Sequence, residues 1–165
     1  MLYHRMPKKP IDFSKTRMYK IVCKDLKVKD TYVGHTTGFS DRTKNHKSDC
    51  NNPNSHNYHL KVYKTIRDNG GWENWDMIEI EKYPCKDSQE AAARERYWYE
   101  FLNANLNNNV PNRTDNESKK NYRDNNKNSI NAPCECDCGG KYSHKHKSTH
   151  LKTTKHRNYI NSLKI

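Results

Sequence analysis

One carboxylate stands where an apolar side chain belongs. In the stretch SQEAAARERYWYEFLN, Glu95 has Ala91, Ala92, Trp98 and Tyr99 three or four positions away and Leu102 a turn further on. At helical spacing these residues share one face, whereas Glu90, Arg94, Arg96 and Glu100 fall on the outward side. An inward carboxylate costs several kcal/mol unless it is paired, hydrogen-bonded or bound to a metal. Two readings follow: an internal salt bridge, with Arg42 as partner, or a metal ligand. Divalent ions that act on phosphoryl groups are often held by one or two carboxylates plus water, which favours the second. Arg42 and His46 are four apart and share a helical face. A guanidinium fork matches a phosphate, and an imidazole beside it donates a hydrogen bond or moves a proton. Taken alone, such a pair is usually just a solvated face, and by the same standard Tyr19 and Tyr32 are ordinary strand aromatics.

A second constellation lies near the C-terminus. Cys136 and Cys138 are followed by Gly139-Gly140 and then by His150 and His156. Two thiolates on a tight glycine turn and two histidines on a following helix supply the four N/S ligands of a structural zinc site. Cys-x-Cys is shorter than the usual spacing, and Cys134 is an alternative to either thiolate. The module resembles a degenerate Cys2His2 finger, with Tyr142 in the place of the core aromatic. Lys145, Lys147, Lys152, Lys155 and Arg157 are expected to form a basic stripe on its helix. His144 and His146 are expected to face phosphate and not the metal. Such a stripe contacts backbone and does not read bases.

The composition limits what must position these groups. Only 32% of the 165 residues are hydrophobic, and the mean hydropathy is −1.33. One well-filled core cannot run the whole length, so part of the chain is expected to be tail, linker or metal-stapled module. The net charge is +12. Residues 1–110 carry 19 basic against 14 acidic side chains, and residues 111–165 carry 12 against 5. That surplus points to a polyanionic partner, because neutralising phosphates releases counterions. Of six cysteines, three are scattered and three cluster beside histidines, a metal-site pattern of a reducing compartment. No segment approaches the ~20 apolar residues of a membrane span, and the first residues lack the apolar run of a signal peptide. The expectation is a soluble intracellular protein with no membrane contact.

The elements follow from patterning. Residues 1–16 read as a flexible arm. MYKIVC and TYVG form a β-hairpin around the charged KDLKVKD. Ser40 or Asp41 caps a helix running through Cys50. A second helix, about His59 to Asn69, carries Leu60, Tyr63 and Ile66 on one face and stops at Gly70-Gly71. WDMIEIEKYP alternates as a third strand. Asp87 and Glu90 form a capping box for a helix from Ser88 to about Asn103. The order β-β-α-α-β-α defines an α+β class, a small three-stranded, mainly antiparallel sheet flanked by helices. Residues 108–132 read as an Asn/Lys-rich disordered linker. Residues 133–165 read as the zinc-finger-like ββα module.

Together these residues resemble the GIY-YIG nuclease family over about residues 17–107. The first motif stands as Arg17-Met18-Tyr19, the second as Tyr32-Val33-Gly34; Arg42, His46, Glu95 and Asn107 follow in order at the family's spacings. Arg17 and Met18 replace the motif's glycine and isoleucine, and the loop at 51–57 looks like an insertion. The Asn/Lys/Tyr-rich composition and NGGWENW resemble members from large DNA viruses, which implies a viral protein acting in a host cell. The resemblance implies metal-dependent hydrolysis of DNA, with RNA also a substrate to consider. Glu95 would bind Mg2+ or Mn2+. Tyr19 or Tyr32 would take a proton from water, its pKa lowered by Arg42 and the ion. Arg42 would neutralise the phosphate, His46 would assist, His35 would sit in a similar shell on the nucleic acid, and Asn107 would hold the site together. The alternative is an inactive nucleic-acid-binding protein on the same scaffold. Oligomeric state is not legible.

Overall fold

The structure, a computed structural model, describes residues 10–163. The chain divides after Asn112 into two compact units.

In the first unit, β1 (Arg17–Cys23) pairs antiparallel with β2 (Thr31–Thr36) and with β3 (Trp75–Lys82), giving the order β2-β1-β3. The alternation of MYKIVC explains the central place of β1. Tyr19, Ile21 and Cys23 point into a core with Val62, Tyr63 and Ile66 of α2 (Lys61–Asp68), Cys50 of α1 (Phe39–Asn51) and Trp75 of β3. Met18, which points to the other face of β1, is also fully buried, and α3 (Ser88–Phe101) packs against β2 and β1. This is the expected α+β class. Of the arm expected at 1–16, residues 1–9 lie outside the described residues. Phe13–Lys15 form one 3-10 turn capped by Asp12, and Thr16 is buried.

Several boundaries differ for local reasons. The N-cap of α1 is Gly38, not Ser40 or Asp41; Asp41 lies in the first turn, where its charge faces the positive end of the helix dipole. The weak apolar stripe of α1 has a simple cause: the residues it turns inward include His46 and Cys50, four apart. The second helix starts at Lys61 with Leu60 as N-cap, and ends before Gly70 and Gly71, both at positive φ. Asp87 accepts from the Gln89 and Glu90 N–H groups, while Glu90 reaches back to the N–H of Lys86. Arg94, expected on the outward side of α3, instead grips Glu81 of β3 through Nε (2.8 Å) and Nη2 (2.9 Å). Its long stem lets a flank position reach the sheet.

The second unit is small. Residues 108–132, expected to be an unstructured linker, hold α4 (Asp115–Asn125) and α5 (Lys127–Ile130), neither with a buried residue. Thr114 and Glu117 form a reciprocal capping box that starts α4, a signal that the composition outweighed in the sequence reading. β4 (Pro133–Glu135) and β5 (Lys141–Ser143) then form a hairpin, followed by α6 (Lys147–His150) and α7 (Thr154–Ser162). Among the described residues of this unit only Cys138 and His150 are buried.

Candidate active site

The β1–β2 register sets the site. Tyr19 stands opposite Gly34, and a Cβ built on Gly34 would lie 2.5 Å from Tyr19 Oη. The glycine of Tyr32-Val33-Gly34 is therefore the space in which the Tyr19 phenol lies, and a larger residue there would displace it. Arg42 Nε donates to Tyr19 Oη at 2.9 Å, and His46 Nε2 lies 2.8 Å from the same oxygen. On its other side His46 Nδ1 is 2.8 Å from Tyr63 Oη, which donates to Asp49 Oδ2 at 3.3 Å.

Burial, and then the charge of Arg42, pushes the His46 pKa down to about 3. The ring is neutral and carries one N–H. Because Tyr19 already accepts from Arg42, its hydroxyl proton is free for His46 Nε2, which places the ring proton on Nδ1, facing Tyr63. The result is a directed chain from Arg42 through Tyr19, His46 and Tyr63 to Asp49. Burial disfavours the Asp49 carboxylate, but hydrogen bonds from Ser55 (2.5 Å), Asn57 (3.1 Å) and Tyr63 hold its pKa below the ordinary value.

The two tyrosines differ in access. Tyr19 is fully buried. Tyr32 is partly exposed and lines two adjoining clefts, of about 380 and 440 Å³. Arg42 and Glu95 line both clefts as well. Burial raises the pKa of both phenols, and Arg42 opposes that shift without overcoming it. The expectation that Arg42 lowers a phenol is thus only partly met, because desolvation in the sheet outweighs one guanidinium.

Glu95 does turn inward, with 15% of its side chain exposed. Its Oε2 is paired with His35 Nδ1 and not with Arg42. Its Oε1 has no hydrogen-bond partner among the described residues. Asn107 forms a two-point clamp on β2: Oδ1 accepts from Val33 N–H (3.0 Å) and Nδ2 donates to Val33 C=O (2.7 Å). It thereby fixes the backbone between Tyr32 and Gly34. Tyr63 and Asp49 were missed as site residues. Tyr63 sits on the apolar face of α2 and reads as core; Asp49, three residues after His46, carried the only sequence signal, a carboxylate on the same helical face.

In the second unit the ligand atoms of Cys136, Cys138, His150 and His156 all lie within 4.8 Å of one another. Cys136 Sγ is 3.3 Å from His156 Nδ1, and Cys138 Sγ is 3.4 Å from His150 Nε2. Gly139 takes φ +72°, and a Cβ on Gly140 would lie 2.6 Å from His150 Cε1, so both glycines are needed for the turn. Tyr142 stacks on His150 with ring centroids 4.8 Å apart. Cys134 lies outside the group and points to Ala132 C=O. His144 and His146 also lie outside it; His146 is paired with Ser143. The two candidate histidine ligands do not share one helix: His150 ends α6 and His156 is in α7, because Thr153 caps the start of α7. Nor do the basic residues form one stripe. Lys145 lies in a 3-10 turn, Lys147 in α6, Lys152 between helices, and Lys155 and Arg157 in α7. All are exposed, and Lys155 donates to Gly139 C=O at 2.9 Å.

Comparison with known proteins follows the same division. The GIY-YIG catalytic-domain family model matches residues 16–108. Among solved structures, the catalytic domain of the homing endonuclease I-TevI is similar, with 22% identity and a TM-score of 0.46, covering 56% of this chain and 94% of that domain. No curated protein matches the chain.

Proposed function

Because the chain belongs to the GIY-YIG family of nucleases, we propose that it is a divalent-metal-dependent endonuclease that hydrolyses DNA phosphodiester bonds, aided by a C-terminal zinc module. The observation that carries this is the common wall of the two clefts, where Tyr32, Arg42 and Glu95 meet. A phenol, a guanidinium and a carboxylate there supply a proton acceptor, a phosphate partner and a cation ligand.

Glu95 suits the holding of Mg2+ or Mn2+. It is a single, mostly buried carboxylate whose Oε1 has no hydrogen-bond partner among the described residues and whose Oε2 pairs with His35, a set that leaves most coordination positions to water and phosphate. His35 is then a positioning residue for the carboxylate, not solely a nucleic-acid contact. The bound ion would polarise the scissile phosphate and add the positive charge that a raised phenol needs. Tyr32, reachable from both clefts, would accept the proton of the attacking water as its phenolate, the form that Arg42 and the bound ion favour. Tyr19 is buried and instead holds Arg42 through its Nε, so that the guanidinium faces the phosphate as charge develops. His46 keeps Tyr19 in place, and Asn107 keeps Tyr32 in place through Val33.

Cys136, Cys138, His150 and His156 suit zinc. Tetrahedral zinc with Zn–S near ~2.3 Å and Zn–N near ~2.05 Å sets sulfur–nitrogen edges of about 3.6 Å, close to the 3.3 and 3.4 Å found here. Lys145, Lys147, Lys152 and Arg157 are the residues proposed to hold the DNA backbone. Lys155 divides its role, since it also caps the ligand turn.

Supercoiled plasmid in Mg2+ tests the reading. Glu95→Ala and Arg42→Ala should each reduce nicking by about 100-fold or more. Unchanged nicking in both would refute the assignment.

A further inference from the structure

Next to the larger of the two clefts lined by Tyr32, Arg42 and Glu95 lies a third cavity, of about 520 Å³, to which the mechanism gives no part. Lys15, Arg17 and Lys82 line it with the hydroxyls of Ser14, Thr37 and Ser40, and among the described residues no carboxylate lines it. Thr37 belongs to both this cavity and the cleft of Tyr32, Arg42 and Glu95. The sheet explains the convergence. Arg17 stands opposite Thr36 on β2 and Lys82 on β3, so these side chains share a face at one end of the sheet. Arg17 is two residues from Tyr19 on that face, about 6.6 Å along the strand. That distance is comparable with the separation of neighbouring phosphates along one nucleic-acid strand, which exceeds the axial rise of ~3.4 Å per step because the backbone winds around the axis.

The cations are available to a ligand. Lys82 makes no ion pair among the described residues. Arg17 gives one Nη to Glu79 at 2.8 Å, which fixes the guanidinium and leaves its remaining donors, and among the described residues Lys15 pairs only with exposed Asp12, at 3.1 Å. Arg17 also occupies the position where the family's first motif has glycine, so its contribution belongs to this chain and not to the shared catalytic set.

We infer that this cavity binds a backbone phosphate adjacent to the scissile one, and that Arg17 and Lys82 are its principal contacts. The inference rests on the nuclease reading for the place of the scissile phosphate, but its test does not need cleavage. Full-length protein carrying Glu95→Gln, which keeps the DNA intact, is compared with the same protein also carrying Arg17→Ala and Lys82→Ala. Both are titrated with a duplex at several salt concentrations, and with a set of duplexes in which one phosphate at a time is a neutral methylphosphonate. The double substitution should weaken binding several-fold and reduce the slope of log affinity against log salt by about 1. One methylphosphonate position should weaken the parent but not the double variant. Lys82→Ala alone, at an exposed strand end, should give part of the effect without disturbing the Arg17–Glu79 pair. An unchanged salt slope, or no position whose effect vanishes in the double variant, would overturn the inference. So would competition by millimolar inorganic phosphate in the parent alone, which would make the cavity a free-phosphate site. Failure of the nuclease reading appears separately, as a wild-type protein that does not cut.

Discussion

The two units of this chain are ordered by different physics. The first surrounds its sheet with apolar groups: Tyr19, Ile21, Ile66 and Leu106 are fully buried. Its proposed chemistry sits on the rim of that core, where Tyr32, Arg42 and Glu95 line the two clefts. The second unit buries almost nothing apart from two members of its Cys/His group. Where apolar burial supplies the stability, polar groups are free for function; where it does not, the polar groups themselves must hold the chain, here through the proposed zinc site. The difference also gives each unit its own point of failure.

Removing the metal separates the units most sharply. Chelation should abolish ordered structure over Pro133–Ser162, because structural zinc supplies on the order of 10 kcal/mol or more in small modules. The melting of residues 10–112 should not move. Amide spectra recorded with and without a chelator check this. If the second unit stays dispersed, its order comes from packing and the contrast between the units is lost.

The next test sharpens the division between core and rim inside the first unit. Tyr32→Phe should slow cleavage by about 100- to 10,000-fold and leave the melting temperature nearly unchanged, because Tyr32 lies at the wall of the clefts. Tyr19→Phe should slow cleavage and also destabilise the fold by about 1–3 kcal/mol, since it strips a partner from buried His46 and from Arg42. Equal stability losses in paired melts of the two variants would show that access does not distinguish the phenols.

The smallest effect concerns pH. His46 has a folded pKa near 3 against about 6.5 in an unfolded chain. Between those values the unfolded state binds the additional proton, so stability falls as pH drops through 6.5 toward 3, by up to about 1.4 kcal/mol per pH unit. His46→Gln should flatten the stability curve between about pH 6.5 and 5, above the carboxylate range. Comparing the variant with wild type cancels contributions from the other titrating groups. Parallel curves would mean that His46 is not held neutral.

Much of the first unit was legible from the sequence for identifiable reasons. Period-two alternation marks β1 and β3, Asp87 and Glu90 mark the start of α3, and the apolar neighbours of Glu95 mark it as an inward carboxylate. What pairs with Glu95 was not legible. His35 follows Gly34 on an edge strand, and only the placement of α3 against β2 brings the two together. The Tyr63–Asp49 end of the hydrogen-bonded chain was hidden because a tyrosine on an apolar helix face looks like core, and here it is core as well. In the second unit the ligand spacing was informative, but the break between α6 and α7 was not seen. Thr153 is an ordinary cap signal, and it was obscured by the run of basic residues around it.

The most direct test concerns whether Glu95 holds a divalent ion. Protein with its zinc site filled is titrated with Mn2+ and bound ion is read by electron paramagnetic resonance, for wild type and for Glu95→Gln. The account predicts one site in wild type that the variant lacks, with equal melting temperatures for the two proteins. The same Mn2+ stoichiometry and affinity in both would contradict it.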